Sequence, residues 1–101
     1  MHERAPAFGG KDGGAYSVAT FVDDAPDARG LYGAALLFVR WSDVGDRPVG
    51  HLETDYLAWG STPAEALAPV LALTLEAIKL HLDRCIDVAG ERGSGGGVRW
   101  A

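Results

Sequence analysis

The stretch Tyr56–Leu67, YLAWGSTPAEAL, is where the chain changes its period. Ahead of it, Val49–Trp59 (VGHLETDYLAW) alternates. Leu52, Thr54, Tyr56 and Ala58 fall on one side; His51, Glu53 and Asp55 fall on the other, with Leu57 and Trp59 continuing it. That two-residue repeat is a β-strand with one wet face over most of its length. After it, Leu67, Val70, Leu71, Leu75, Ile78, Leu82 and Ile86 recur at the spacing of one helix face. The junction is written in capping chemistry. Thr62 suits the N-cap, Pro63 the first helical position and Glu65 the capping-box carboxylate. The Thr62 hydroxyl is expected to accept the Glu65 N–H, and Glu65 to reach back to the Thr62 N–H. Pro69 removes one helical hydrogen bond and bends the helix early. The helix is then expected to run to Ala89, with Gly90 as its stop.

Working outward, Ala15–Val22 (AYSVATFV) is short, β-branched and aromatic, and reads as a strand. Asp23–Gly30 (DDAPDARG) is rich in turn formers and reads as a solvated acidic loop. Leu31–Trp41 (LYGAALLFVRW) is apolar on both alternating sides, the pattern of a strand covered on two faces. Ser42–Pro48 (SDVGDRP) is a turn that closes a hairpin. The fold class expected is α+β: a three-stranded antiparallel sheet followed by one long helix, βββα. The glycine content of residues 1–14 and 90–101 predicts flexible tails around a domain spanning 15–89. Val98, Arg99 and Trp100 fit a short C-terminal strand, a docking peptide or a disordered end.

Composition narrows the function classes. A chain of 101 residues, 48% apolar and 23% charged, fits one globular domain. The net charge is −5, lysine occurs only at Lys11 and Lys79, and the arginines are scattered. An electrostatic footprint for nucleic acid or anionic lipid is missing, so direct nucleic-acid binding is not expected. Cys85 is the single cysteine, which rules out an internal disulfide and gives no sign of an oxidising compartment. The longest apolar-rich stretch, Ala64–Leu82, is interrupted by Glu65, Pro69, Glu76, Lys79 and His81, which suits a buried helix and not a membrane span. No basic-then-apolar leader opens the sequence. A cytoplasmic protein with no membrane association is expected.

Few residues suggest chemistry. His51, Glu53 and Asp55 share a strand face and form the one candidate polar or metal set. A straight strand spaces them roughly 7 Å apart, too far to converge on one ion, and no second histidine is nearby in sequence. His81 and Cys85 are four apart on one helix face, but Cys85 lies among Leu82 and Ile86 and reads as a small buried hydrophobe. The runs Gly9–Gly14 and Gly93–Gly97 lack the strand and helix that flank a phosphate loop. No catalytic residue, cofactor or metal is expected, and the chain reads as a non-enzyme.

The order strand, strand, strand, helix, together with Gly60, Thr62, Glu65 and Ala66 at the junction, resembles the HicB-like antitoxin family. In that family a short strand is followed by Gly-x-Thr and then Glu-Ala at the opening of a helix. Leu75–Leu82 resembles the helix that follows. The family's Pro-x-x-Pro-Gly segment before the third strand is absent, and no ribbon-helix-helix or helix-turn-helix region follows Gly90. The resemblance therefore implies a toxin-neutralising or other protein-binding module and not an operator-binding one. A small phage- or defence-associated inhibitor acting by acidic surface complementarity is the alternative.

Placing the hairpin turn at Gly45 and Asp46 sets Val39 against Leu52, Leu37 against Thr54 and Ala35 against Tyr56. The helix should cover that side. Tyr32, Leu36, Phe38 and Trp59 then form an exposed apolar patch on the other, and a surface of that kind is expected to be covered by a second copy in a homodimer or by a protein partner. One outcome follows from the junction alone. Thr62→Ala should lower unfolding stability by about 0.5–2 kcal/mol, with a smaller loss for Glu65→Ala; an unchanged melting midpoint in Thr62→Ala would remove the capping argument.

Overall fold

The computed structural model describes residues 8–91 and 98–99. Residues 1–7, 92–97 and 100–101, Trp100 among them, lie outside it. The described elements are β1 (Phe8–Gly9), β2 (Ala15–Val22), β3 (Tyr32–Trp41), β4 (Pro48–Glu53), β5 (Ala58–Gly60), α1 (Pro63–Leu71), α2 (Leu75–Glu91) and β6 (Val98–Arg99). The sheet runs β1-β2-β3-β4-β6, with β5 also on β3, and every pairing is antiparallel. This is an α+β fold. No helix of the described residues is long and apolar enough to cross a membrane.

One long helix was expected; there are two. α1 begins as the sequence implies, with Thr62 as N-cap and its Oγ1 accepting the Glu65 N–H at 3.1 Å. The reciprocal bond is displaced by one residue: Glu65 Oε1 accepts from the Ser61 N–H at 2.9 Å. Pro69 removes a ladder donor in the last turns, and α1 ends at Leu71 with Ala72 as its cap. Thr74 then caps α2, its Oγ1 accepting the Ala77 N–H at 3.1 Å. Gly90, expected as the stop, lies inside α2.

The third strand is also divided. Leu37 pairs with Glu53 and Ala34 with Ala58, so four residues, Thr54–Leu57, oppose two on β3. Because the surplus is two, alternation is preserved across it, and Leu52 and Ala58 turn toward the same face.

Register decides what each face carries. The hairpin closes with Ser42 N–H donating to Arg47 O, Gly45 sits at φ 76, and the pairing shifts between Arg40 and Trp41. This shift sets Phe38 against Leu52 and Val39 against His51, one residue from the expected pairing. A one-residue slip exchanges the faces of a strand. Phe38 (0% exposed) and Leu36 (2%) therefore lie in the core with Ala34, Ala66, Val70 and Leu82, and Tyr32 packs against the same cluster. The expected patch of Tyr32, Leu36, Phe38 and Trp59 is not one surface: the first three face the helices, and Trp59, paired with Gly33, lies on the uncovered side.

The expected tails contribute to the sheet. Phe8 and Gly9 pair with Tyr16 and Ala15. Asp12 then accepts from the Tyr16 hydroxyl at 2.9 Å and from Arg40 Nη1 at 3.1 Å, while Lys11 reaches Asp87 on α2 at 2.8 Å. Burial first, and the Asp12 carboxylate second, push the Tyr16 phenol up to about 12. At the other end Val98 and Arg99 pair with Leu52 and His51.

Gly60 shows why the junction has its composition. A Cβ there would lie 2.6 Å from the Ala66 nitrogen and 2.6 Å from Glu65 Cβ, so β5 enters α1 too closely for any side chain. Gly60→Ala should therefore lower stability by about 1–3 kcal/mol, read by denaturant titration; wild-type stability in that variant would show that the β5–α1 approach is looser than described.

Candidate functional site

The helices cover the face built from Ala34, Leu36 and Phe38. The opposite face carries Ser17, Ala19 and Phe21 from β2, Ala35, Leu37, Val39 and Trp41 from β3, His51 and Glu53 from β4, and Trp59 from β5. No helix lies over it among the described residues. Toward the Phe21 end it holds a cleft of about 550 Å³, lined by Phe21, Ala35, Leu37, Glu53, Asp55, Tyr56 and Trp59.

The divided strand makes this cleft. Thr54 N–H still donates to Leu36 O at 3.1 Å; beyond it the backbone leaves β3 until Leu57, and the Thr54 hydroxyl takes the place of the main-chain acceptor for Leu36. Thr54 Oγ1 accepts the Leu36 N–H at 3.0 Å and donates to Asp55 O at 2.8 Å. Leu57 N–H then donates to Ala34 O at 2.8 Å and returns the chain to the sheet. The arch carries Tyr56 over Gly33, where a Cβ would meet the ring at 2.5 Å. Glycine inside an apolar strand marks such a close approach.

The ring is fixed at its far end. Tyr56 OH donates to Asp23 Oδ1 at 2.7 Å, and Asp23 Oδ2 accepts the Gly33 N–H at 3.2 Å. Tyr56 and Trp59 lie 5.7 Å apart at 55°, a tilted aromatic pair. Arg29 covers Trp59 at 5.6 Å from its ring centre. That guanidinium is held by Asp27, whose Oδ2 takes both Nε (3.1 Å) and Nη2 (2.9 Å). Asp27 Oδ1 accepts the N–H of Arg29 and of Leu31. The bond from Arg29, more than any other contact, holds the Asp27 carboxyl below the usual carboxylate range. The acidic loop is solvated as expected, exposed from Asp24 to Gly30, and the bonds of Asp23 and Asp27 fix it beside the cleft.

The sequence-level polar set is partly assembled. His51 Nε2 and Glu53 Oε2 are 3.6 Å apart on the open face, whereas Asp55 belongs to the arch. Among the described residues no three His, Cys, Asp or Glu side chains are grouped to hold a metal ion. His81 and Cys85 border a separate hollow with Thr54, Asp55 and Arg84. Burial first, then the Asp55 charge, push the Cys85 thiol up, which opposes the thiolate a nucleophile needs. Of the residues around the cleft, sequence reading singled out Trp59, Glu53 and Asp55. It did not place Phe21, Tyr56, Asp23 or Arg29 there, and Gly33 was the one signal for the Tyr56 arch.

Set beside protein-family models, curated proteins and solved structures, the chain matches none.

The Tyr56–Asp23 bond can be read directly. The bond first, with burial and the Asp23 charge adding to it, raises the Tyr56 phenol above its ordinary value. A carboxylate acceptor favours the neutral phenol, so this contribution to stability is complete below the unfolded tyrosine value near ~10 and is lost as pH rises through the folded one. In an absorbance-monitored alkaline titration, Asp23→Asn should move the Tyr56 ionisation down; the same curve in wild type and variant would mean that the bond does not form in solution.

Proposed function

We propose that this chain is a non-enzymatic protein-binding module whose open sheet face seats a partner through a basic segment. The observation that carries the reading is the grouping of Phe21, Tyr56 and Trp59, all exposed, around an apolar floor of Ala35 and Leu37. Aromatic anchors beside a concave apolar surface are the usual centre of a binding interface. The carboxylates of Asp23, Asp27, Glu53 and Asp55 lie around this grouping, and the chain carries −5 overall, so the matching partner is cationic. Arg29 already lies over Trp59, which supports stacking of a partner's arginine or lysine on the neighbouring rings.

The resemblance of the Gly60–Ala66 junction to HicB-like antitoxins gives this reading a biological form: a cytoplasmic antitoxin covering the active surface of a small basic toxin. An acidic inhibitor of another protein would use the same face, and partner identity separates the two. Photo-cross-linking in the native host tests the surface. A photoreactive residue at position 21 should trap a basic protein, and one at position 80, on the exposed flank of α2, should not. Trp59→Ala should weaken that partner by about 2 kcal/mol, roughly 30-fold, with melting unchanged. Trapping at position 80 alone, or full affinity in Trp59→Ala, would move the interface off this face.

A further inference from the structure

β1 pairs with only Tyr16 and Ala15, so among the described residues no strand lies along β2 from Ser17 to Val22. The ladder direction identifies which groups are left outward. Asp23 N–H donates to Gly33 O, continuing the β2–β3 ladder, so the odd-numbered residues of β2 turn their N–H and C=O toward β3. Val18, Thr20 and Val22 turn theirs outward. The segment SVATFV is β-branched and aromatic, with no charge, proline or glycine. None of the devices that blunt a sheet edge is present in it.

A second observation coincides with this edge. On the helix side a hollow of about 320 Å³ runs along it, lined by Val18, Thr20, Val70, Leu71, Leu73 and Ile78. Leu71 is 67% exposed, and Leu75, just past the helix break, is 77% exposed. Leu71 thus stands exposed beside an edge that no described strand covers.

We propose that the β2 edge pairs antiparallel with the β2 edge of a second copy, joining two sheets into one. With the two-fold axis at Thr20, Thr20 faces Thr20 and Val18 faces Val22, so the same groups complete each other on both sides. The axis stands perpendicular to the sheet, which brings both helix layers to one side and lets Leu71 of each copy fill the hollow beside the other's edge. No charged residue falls within the paired segment, so the acidity of the chain does not oppose the contact there. This dimer does not depend on what the open face binds.

Light scattering coupled to gel filtration, with amide hydrogen exchange alongside, tests it. The wild-type chain at tens-of-micromolar concentration should show twice the 10.6 kDa chain mass, with slow exchange at the Val18, Thr20 and Val22 amides. Thr20→Pro removes one outward N–H without touching the β2–β3 ladder, and Leu71→Glu charges the hollow. Both should run at the single-chain mass with the far-ultraviolet dichroism of the wild type. If Thr20→Pro does not fold, Thr20→Lys and Leu71→Glu carry the test. A wild-type monomer overturns the proposal, including one with protected edge amides, which would place the chain's own residues on the edge. So does a dimer that persists in the folded variants.

Discussion

Thr54 holds the divided strand to β3 at the point where the backbone departs from it: its N–H donates to Leu36 O, and its hydroxyl takes the Leu36 N–H. That amide is buried between sheet and helices and would otherwise lack a partner; the hydroxyl donates in turn to the Asp55 carbonyl. An unsatisfied amide at that depth costs about 1–3 kcal/mol. Much of the architecture follows from this substitution of side chain for main chain. It permits the four-against-two mismatch, lifts Tyr56 over Gly33, and returns the chain through Leu57 so that β5 meets β3 in phase. β5 then delivers Gly60 and Thr62 to the start of α1.

The sheet's two faces owe their contrast to residue size as much as to polarity. Ala34 and Ala66 are both fully buried, and with no bulk at either position α1 settles close to β3. Phe38, Leu36 and Leu82 fill the wider space beyond. On the other side Ala35 lies in the floor with Leu37, Gly33 lies beneath the Tyr56 ring, and Phe21, Tyr56 and Trp59 stand at the margins. The same strand thus presents small residues to a helix on one face and a hollow on the other.

What was legible in the sequence is what local chemistry decides. The strand-to-helix entry was readable because Thr62, Pro63 and Glu65 lie within four positions and each has one preferred place in a capped turn. The helix break was not, because Leu71, Leu75 and Ile78 keep the helical spacing across it, and Thr74 looks like any polar residue inside a helix until its partner Ala77 is known. The face assignment turned on the shift between Arg40 and Trp41, a one-residue irregularity that alternation on either side does not record. The anchoring of the acidic loop, itself read correctly as a loop, and the Asp12 turn were missed for another reason. Their organising bonds reach Tyr56 and Arg40, 33 and 28 residues away, and no local pattern announces such partners.

The three-residue gap between the helices also sets how the molecule yields. A single uninterrupted helix passes disorder along its length, since each broken turn removes the support of the next. Here α1 closes on Ala72 and α2 opens on Thr74, each with its own capping bonds. Fraying that starts at the Glu91 end of α2 therefore meets an independent start at Thr74 and has no hydrogen-bonded path into α1. Loss of the last turns of α2 leaves the Thr62 cap and the junction beneath Gly60 with their own hydrogen bonds, while Leu82, further back in α2, stays anchored in the core.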